Sequence, residues 1–172
     1  RQVWRTKPFS EQLTMTAAKA NITKQKTIDT VNQIRDKVPG IAIRTTLIAG
    51  YPGETKKDHE EMLQWVSDTK FERLGIFTYS HEENTHAYLL EDDVPEEVKS
   101  RRLSEIVDLQ QKLSKKFTLT GLNKVHRVLI EGTSKKSKDM FYGRNSENSV
   151  VVFPKENRKP GEYVNVLATD CT

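Results

Sequence analysis

A short stretch of the chain decides its fold: residues 44–55 read RTTLIAGYPGET. The first half is rich in β-branched residues without polar alternation, which is typical of a strand buried on both faces. The second half is a turn with two glycines, and Thr55 at its end can cap a helix, with Asp58 completing a capping box. The stretch therefore predicts a buried strand from Ile41 to Ala49, followed directly by a helix from Lys56 to about Thr69.

The segments on both sides extend this unit. Apolar residues at helical spacing predict an amphipathic helix from Thr23, its N-cap, to Val38. A second strand, Leu74 to Tyr79, is predicted after the next helix. Helix, strand, helix and strand with short connections indicate βαβ units and a parallel sheet. Two parallel strands cannot cover both faces of a sheet by themselves, so we expect this half of the chain to be part of something larger.

The hydrophobic period changes near residue 121. A long helix is predicted from about Glu96 to Leu119, and Gly121 closes it. Alternating apolar residues beyond it predict a small antiparallel barrel of short strands at Lys124 to Glu131, Phe141 to Arg144, Val150 to Phe153 and Tyr163 to Ala168. The sequence therefore predicts an α/β part, residues 1–121, and an all-β part, residues 122–172.

Composition narrows the class of protein. The chain has 172 residues, is 35% hydrophobic and carries a net charge of +4. No window approaches the roughly 18 apolar residues of a membrane span, and the first ten residues lack the apolar run of a signal peptide. We therefore expect a soluble, intracellular protein. Cys171 is the single cysteine, so this chain can build neither a disulfide nor a cysteine-ligated metal site.

The charge alternates along the chain. Residues 41–98 carry 5 basic and 13 acidic side chains, giving −8, whereas residues 122–172 carry 9 basic and 6 acidic side chains, giving +3. Such blocks are most often solvated faces. The small total is therefore a poor guide to any partner.

Ligands of parallel sheets bind beyond the carboxyl ends of the strands, so the loops after Ala49 and Tyr79 are the candidate sites. In the first loop, Gly50 and Gly53 permit close backbone approach, and the helix start that follows favours anionic groups. The alternative is a tight strand-to-helix turn, and the pattern is not that of a phosphate loop. The second loop contains imidazoles and carboxylates without a zinc spacing, and no nucleophile–base pair is evident in the chain, so we predict neither a metal ligand nor a catalytic residue here.

The all-β part combines nine basic residues with four aromatic ones. Basic residues with aromatics on a small barrel suit nucleic-acid binding through phosphate attraction and base stacking. The alternative is an ordinary barrel core beneath a lysine-rich surface.

Several motifs together resemble one family. Residues 44–55, FERLGIFTYS at residues 71–80 and VPEEVK at residues 94–99 resemble the radical S-adenosylmethionine methylthiotransferases. The second motif is similar to that of the RimO branch, which methylthiolates an aspartate of small-subunit ribosomal protein S-twelve. The tail, with YGR at residues 142–144 and PGEYV at residues 160–164, resembles the TRAM domain of that family.

The resemblance implies a C-terminal fragment of the enzyme: the last part of a partial (β/α)6 radical barrel followed by a TRAM-like β-barrel. It implies an S-adenosylmethionine pocket at the strand ends, with contacts from Arg44, Leu47, Ile48, Gly50, Glu54, Phe77 and Tyr79. The cysteines that hold the family's iron–sulfur clusters are absent from this chain, so we expect this chain alone to be inactive.

The resemblance also implies partners. The TRAM part is expected to hold the substrate, ribosomal protein S-twelve, through Lys124, Arg127, Tyr142 and Arg144. A cytoplasmic monomer is expected. Two alternatives stay open: the tRNA-modifying branch of the same family, and a stand-alone RNA-binding module formed by residues 122–172.

Overall fold

The computed structural model describes residues 24–171, which form two compact units divided between Ser114 and Lys115. The predicted N-cap Thr23 lies outside the described residues. The first unit contains α1 (Lys24–Lys37), β1 (Arg44–Ala49), α2 (Lys56–Thr69), β2 (Arg73–Thr78), a 3-10 helix (His86–Leu89) and most of α3 (Glu96–Leu119). The second contains the end of α3, then β3 (Val125–Thr133), β4 (Met140–Asn145), β5 (Val150–Pro154) and β6 (Tyr163–Leu167).

The helices begin and end where local signals predict. At the start of α2 the Thr55 side chain accepts a hydrogen bond from the Asp58 N–H, and the Asp58 carboxylate accepts one from the Thr55 N–H, which confirms the capping box. The helix ends at Lys70, which adopts the left-handed conformation and whose N–H donates to the Val66 carbonyl. The predicted bounds of α2 and α3 are both confirmed. Within residues 24–171, no helix is both long enough and apolar enough to cross a membrane.

The strands β1 and β2 pair in parallel, with Ile48 opposite Phe77. Because side chains alternate along a strand, Leu47 and Ile48 point to opposite faces. Leu47 is buried in a core with Met62, Val66 and Ile106. The other face carries Thr46, Ile48, Gly75 and Phe77, and 63% of Phe77 is exposed. The expectation of a strand buried on both faces is thus met on one face only, and we call the second the open face.

The second unit is one antiparallel sheet in the order β5–β4–β3–β6. Its inner face buries Val128, Ile130, Phe141, Phe153 and Val164. A bulge between Ile130 and Gly132 shifts the register of β3 against β4. Four strands occur at the four predicted places, so the alternating pattern located them correctly.

Candidate functional site

The carboxyl ends of β1 and β2 bring two aromatic side chains together. Tyr51 follows β1, Tyr79 follows β2, and their ring centres lie 5.2 Å apart in an edge-on arrangement. The Tyr79 N–H donates to the Ala49 carbonyl at 2.8 Å, which extends the parallel pairing by one step. The two loops predicted as the site therefore meet at one edge of the sheet.

Gly50 lets α3 approach this edge. Its φ of +73° lies in the left-handed region, and a Cβ at this position would lie 2.3 Å from Cγ of Lys99. The Lys99 side chain is 4% exposed, and its Nζ lies 2.7 Å from Asp92 Oδ2 and 5.4 Å from the centre of the Tyr79 ring. The buried ammonium is thus compensated by a carboxylate and an aromatic face.

The hydroxyl of Tyr79 points into the second loop. It donates to the Ala87 carbonyl at 3.3 Å and lies 3.1 Å from His81 Nδ1. Burial raises the pKa of Tyr79, and the nearby carboxylates of Asp92 and Glu82 raise it further. The phenol therefore stays protonated near neutral pH and acts as a fixed donor.

Glu54 holds the first loop to α3. Its Oε2 accepts the Gly50 N–H at 2.9 Å, and its Oε1 accepts Arg102 Nη1 at 2.9 Å. Arg102 Nη1 also donates to the Glu54 carbonyl at 3.0 Å. Burial raises the pKa of Glu54, although Arg102, the Gly50 N–H and His59 favour its ionised form. Both carboxylate oxygens are engaged within the chain, so Glu54 positions the loop rather than presenting a free oxygen to a ligand.

The helix start beside this loop already has its own anion. Asp58 accepts from the Thr55 N–H at 2.9 Å, so one of the exposed donors of α2 is satisfied internally. His59 is buried one residue further on, with Nε2 2.6 Å from Glu105 Oε2 and Nδ1 4.0 Å from Glu54 Oε1. The predicted preference of this helix start for an external anion is therefore not supported.

The structure separates the predicted pocket residues into two groups. Ile48 and Phe77 share the open face, and Gly50 and Tyr79 lie at its carboxyl edge. Leu47 is a correction: alternation turns it into the helix-covered core. Arg44 is another, since it begins β1, and five steps of about 3.3 Å put it roughly 17 Å from Ala49, at the opposite end of the strand.

Sequence reasoning missed Lys99 and Arg102 as part of this site. Both lie on α3, far along the chain from the loop that they contact, and each is at most 5% exposed. The sequence did indicate a partner for these two residues, since both lie on the inward side of an amphipathic helix, where an unpaired cation would be energetically costly.

The described residues offer no metal site. Within residues 24–171, no group of three His, Cys, Asp or Glu side chains is placed to hold a metal ion. Four thiolates normally hold a four-iron cluster, and the chain has one cysteine. The residues present therefore do not fit an iron–sulfur cluster.

In the second unit, three of the four predicted substrate residues share the outer face of the sheet. Arg127 lies with its guanidinium carbon 4.3 Å from the centre of the Tyr163 ring. Arg144 pairs with Glu131 at 3.2 Å, and Leu129 lies opposite both Arg144 and Tyr163. Tyr142 lies two residues from Arg144 on the same strand, so it shares this face, whereas Lys124 precedes β3 and is outside the strands. Tyr163 is one of the four aromatic residues noted for the all-β part, but it was not among the predicted substrate residues.

Comparison with known proteins assigns the class. The family model of the TRAM domain matches residues 121–172, and the antiparallel sheet fits a TRAM-like β-barrel. Two relatives are named ribosomal protein uS12 methylthiotransferase RimO: that of Flavobacterium johnsoniae, 44% identical over 87% of this chain, and that of Christiangramia forsetii, 48% identical over 74%. A tRNA-2-methylthio-N(6)-dimethylallyladenosine synthase of Chloroherpeton thalassium is 42% identical over 87% of this chain.

The chain belongs to the methylthiotransferase family of these relatives, and the resemblance drawn from its motifs is confirmed. It spans only about a third of their length, since the matches cover 35%, 28% and 34% of the three proteins.

Proposed function

We propose that this chain is the C-terminal part of a radical S-adenosylmethionine methylthiotransferase that modifies an aspartate of ribosomal protein uS12. One observation carries the proposal: a parallel strand pair with one face packed on helices and an open apolar face that ends in a glycine loop. A strand pair of this kind is completed when further strands continue the sheet, as in a (β/α)6 barrel. The first unit is then the last part of that barrel.

S-adenosylmethionine would bind at the carboxyl edge of the open face. Ile48 and Phe77 offer apolar surface, and Gly50 at the carboxyl edge lets Lys99 of α3 pack directly behind the loop. Lys99 and Glu54 hold the two loops in place behind this edge. The cofactor, with an iron–sulfur cluster, supplies the radical and the methyl group.

The cluster ligands would come from the rest of the parent protein, so we expect this chain alone to be inactive. The second unit would hold the protein substrate. We place the domain boundary at residues 121 and 122, where the TRAM match begins, although the compact units divide earlier, within α3. A cytoplasmic location is part of the proposal, because the substrate is a ribosomal protein, and we propose a monomer as well.

The test uses the full-length parent with purified uS12 as substrate. Phe77→Asp should weaken S-adenosylmethionine binding at least tenfold by calorimetry, because it places a charge on the apolar face. Val38→Asp is the matched control, since Val38 is 50% exposed and lies between α1 and β1, before the amino end of the strand pair. Equal affinities for the two variants, or a parent that leaves uS12 unmodified, would overturn the proposal.

A second candidate substrate is tRNA, favoured by the similarity to the tRNA-2-methylthio-N(6)-dimethylallyladenosine synthase. The same parent assayed with tRNA separates the two branches. If the chain instead works as a stand-alone RNA-binding module, its affinity for RNA should fall steeply with salt, and Lys135→Ala should reduce that slope.

A further inference from the structure

His59 is a buried histidine near the start of α2 whose two ring nitrogens face carboxylates from two different elements. Its side chain is 6% exposed. Its Nε2 lies 2.6 Å from Oε2 of Glu105 on α3, and its Nδ1 lies 4.0 Å from Oε1 of Glu54 in the loop after β1. The ring therefore connects this loop to α3 at a second point, beside the pair that Glu54 forms with Arg102.

The hydrogen-bond geometry indicates which form of the ring fits this place. A carboxylate only accepts hydrogen bonds, so the short contact with Glu105 requires a proton on Nε2 of His59. In a neutral ring with that proton, Nδ1 is a buried acceptor, and it has no hydrogen-bond partner among residues 24–171. Such an acceptor is energetically costly, and here it would also face an oxygen of Glu54. A second proton, on Nδ1, removes this conflict because the ring then presents a donor and a positive charge to each carboxylate.

The charged groups around the ring favour the same form. Glu54 faces it from the loop, and Glu105 faces it from α3. Arg102, also on α3, binds the same oxygen of Glu54 at 2.9 Å, so this cation is already paired. The carboxylate of Asp58, which precedes His59 on α2, is engaged in the helix cap. The ring thus lies between two carboxylates, and the one buried cation beside them is shared with Glu54.

Both carboxylates gain from a protonated ring. Arg101 lies 3.6 Å from Glu105, but its side chain is 63% exposed, so water screens this pair. His59 approaches Glu105 to 2.6 Å from a buried position. On the other side of the ring, burial raises the pKa of Glu54, while Arg102, backbone N–H groups and His59 favour its ionised form. One imidazolium therefore stabilises a carboxylate of α3 and a carboxylate of the loop together.

Glu54 transmits this effect to the glycine of the loop. Its Oε2 accepts the Gly50 N–H at 2.9 Å, while its Oε1 faces Arg102 and His59. When the ring loses its charge, Glu54 keeps Arg102 but loses the cation on the side of α2. Histidine side chains change charge between about pH 5 and pH 8. The loop is therefore held less firmly as the pH rises through this range.

We propose that His59 is a positioning residue of this site: its imidazolium bridges Glu105 and Glu54 and thereby fixes Gly50 at the carboxyl edge of β1. The inference rests on the proposed function, in which S-adenosylmethionine binds at that edge. His59 acts through Glu54, since its own ring is enclosed between the loop and α3. Loss of the ring proton loosens the loop, so the affinity for S-adenosylmethionine falls as the pH rises.

The first experiment uses the 172-residue chain without a ligand. Chemical shifts of the ring nitrogens, measured by NMR, should show that Nδ1 of His59 gains a proton between about pH 8 and about pH 6 while Nε2 keeps its own. His59→Gln retains a donor toward Glu105 but cannot become charged. Stability that depends on a protonated histidine is present at low pH and is lost as the pH rises. In urea unfolding, the ratio of the unfolding constants of His59→Gln and wild type should therefore be at least about threefold larger at about pH 6 than at about pH 8.

His126→Gln is the matched control in this measurement. The ring nitrogens of His126 contact the Gly121 carbonyl at 2.9 Å and the Asn145 amide at 3.2 Å, so neither faces a carboxylate directly. Protonation of that ring would remove the acceptor that the amide needs. The advantage of wild type over His126→Gln should therefore not grow at low pH.

The second experiment uses the full-length parent and measures the Kd for S-adenosylmethionine by calorimetry. Wild type should bind at least about threefold more tightly at about pH 6 than at about pH 8. This pH dependence should be absent in His59→Gln and reduced in Glu105→Gln. The Glu105 side chain is 43% exposed, so the second variant tests the bridge even if His59→Gln fails to fold.

The outcomes separate this inference from the proposed function. A ring that stays neutral at pH 6, or parallel pH profiles of stability for wild type and His59→Gln, overturns the inference. An unchanged pH dependence of binding in Glu105→Gln does the same. A parent that binds S-adenosylmethionine with one pH profile in wild type and His59→Gln refutes the positioning role and leaves the proposed function intact. A parent that binds no S-adenosylmethionine, while the ring is protonated and stabilises the chain as expected, refutes the proposed function alone.

Discussion

Removing Arg102 should expose how the first loop is held. In Arg102→Met the Glu54 carboxylate, whose side chain is 1% exposed, loses its ion pair but stays buried. Breaking a buried pair from one side typically costs about 3–5 kcal/mol. Uptake of a proton limits that cost, because the carboxyl can become neutral instead of remaining an unpaired ion.

The limit follows from the ordinary carboxyl pKa of 4.5. At pH 7 the solution is 2.5 pH units above that pKa, so keeping the carboxyl neutral costs about 3 kcal/mol at about 1.36 kcal/mol per unit. At pH 5 the difference between the pH and the pKa is half a unit, so the upper limit on the cost of the broken ion pair falls below about 1 kcal/mol. The lost hydrogen bond to the Glu54 carbonyl adds about 1 kcal/mol at either pH. We therefore expect a destabilisation of at most about 3–4 kcal/mol at pH 7 and at most about 1–2 kcal/mol at pH 5, because the raised pKa of Glu54 shows that the wild type already bears part of this cost.

Urea unfolding followed by the fluorescence of Trp65, in a background that carries Trp4→Phe, measures this, because Trp65 packs against the core of the first unit. Arg101→Met is the control, since the neighbouring side chain is 63% exposed and pairs with Glu105 only at 3.6 Å. It should change stability by less than about 0.5 kcal/mol. Equal effects of the two substitutions at pH 7, or a penalty for Arg102→Met that does not shrink at pH 5, would refute the reasoning.

Two further predictions concern the same unit. Gly50→Ala should lower the melting temperature of the chain more than Gly53→Ala. Both glycines have a positive φ, and an alanine in that conformation costs about 1 kcal/mol. Only the Cβ added at residue 50 would also clash, with Lys99. Similar melting temperatures would contradict the close packing of α3. Glu72→Gln should lose stability above pH 4.5: burial opposes ionisation of Glu72, yet hydrogen bonds from Arg35 and from the Ile43 N–H outweigh it and lower its pKa. The loss of stability should vanish as the pH falls through that lowered pKa. The reason is that a carboxyl group with a lowered pKa stabilises the fold only while it is ionised. A loss that does not depend on pH would exclude this linkage.

Local chemistry made much of the fold predictable. The capping box of Thr55 and Asp58 places the start of α2 without reference to the rest of the chain, because its hydrogen bonds join residues three apart. The alternation of Phe141 with Tyr142 and of Val150 with Val151 located two strands of the second unit for the same reason. Motif resemblance then supplied the family, which neither periodicity nor composition could reach.

The tertiary structure decided which residues belong to the site. Leu47 and Ile48 are neighbours in sequence, yet only the packing of α2 and α3 shows which one enters the core. Arg102 and Glu54 are 48 residues apart, so their pairing depends on where α3 crosses the sheet edge. Sequence by itself determined the elements and the family of this protein, since short-range hydrogen bonds and hydrophobic period carry that information. The faces, the loop anchor and the surface around Arg127 required the folded chain, because they arise from contacts between distant segments.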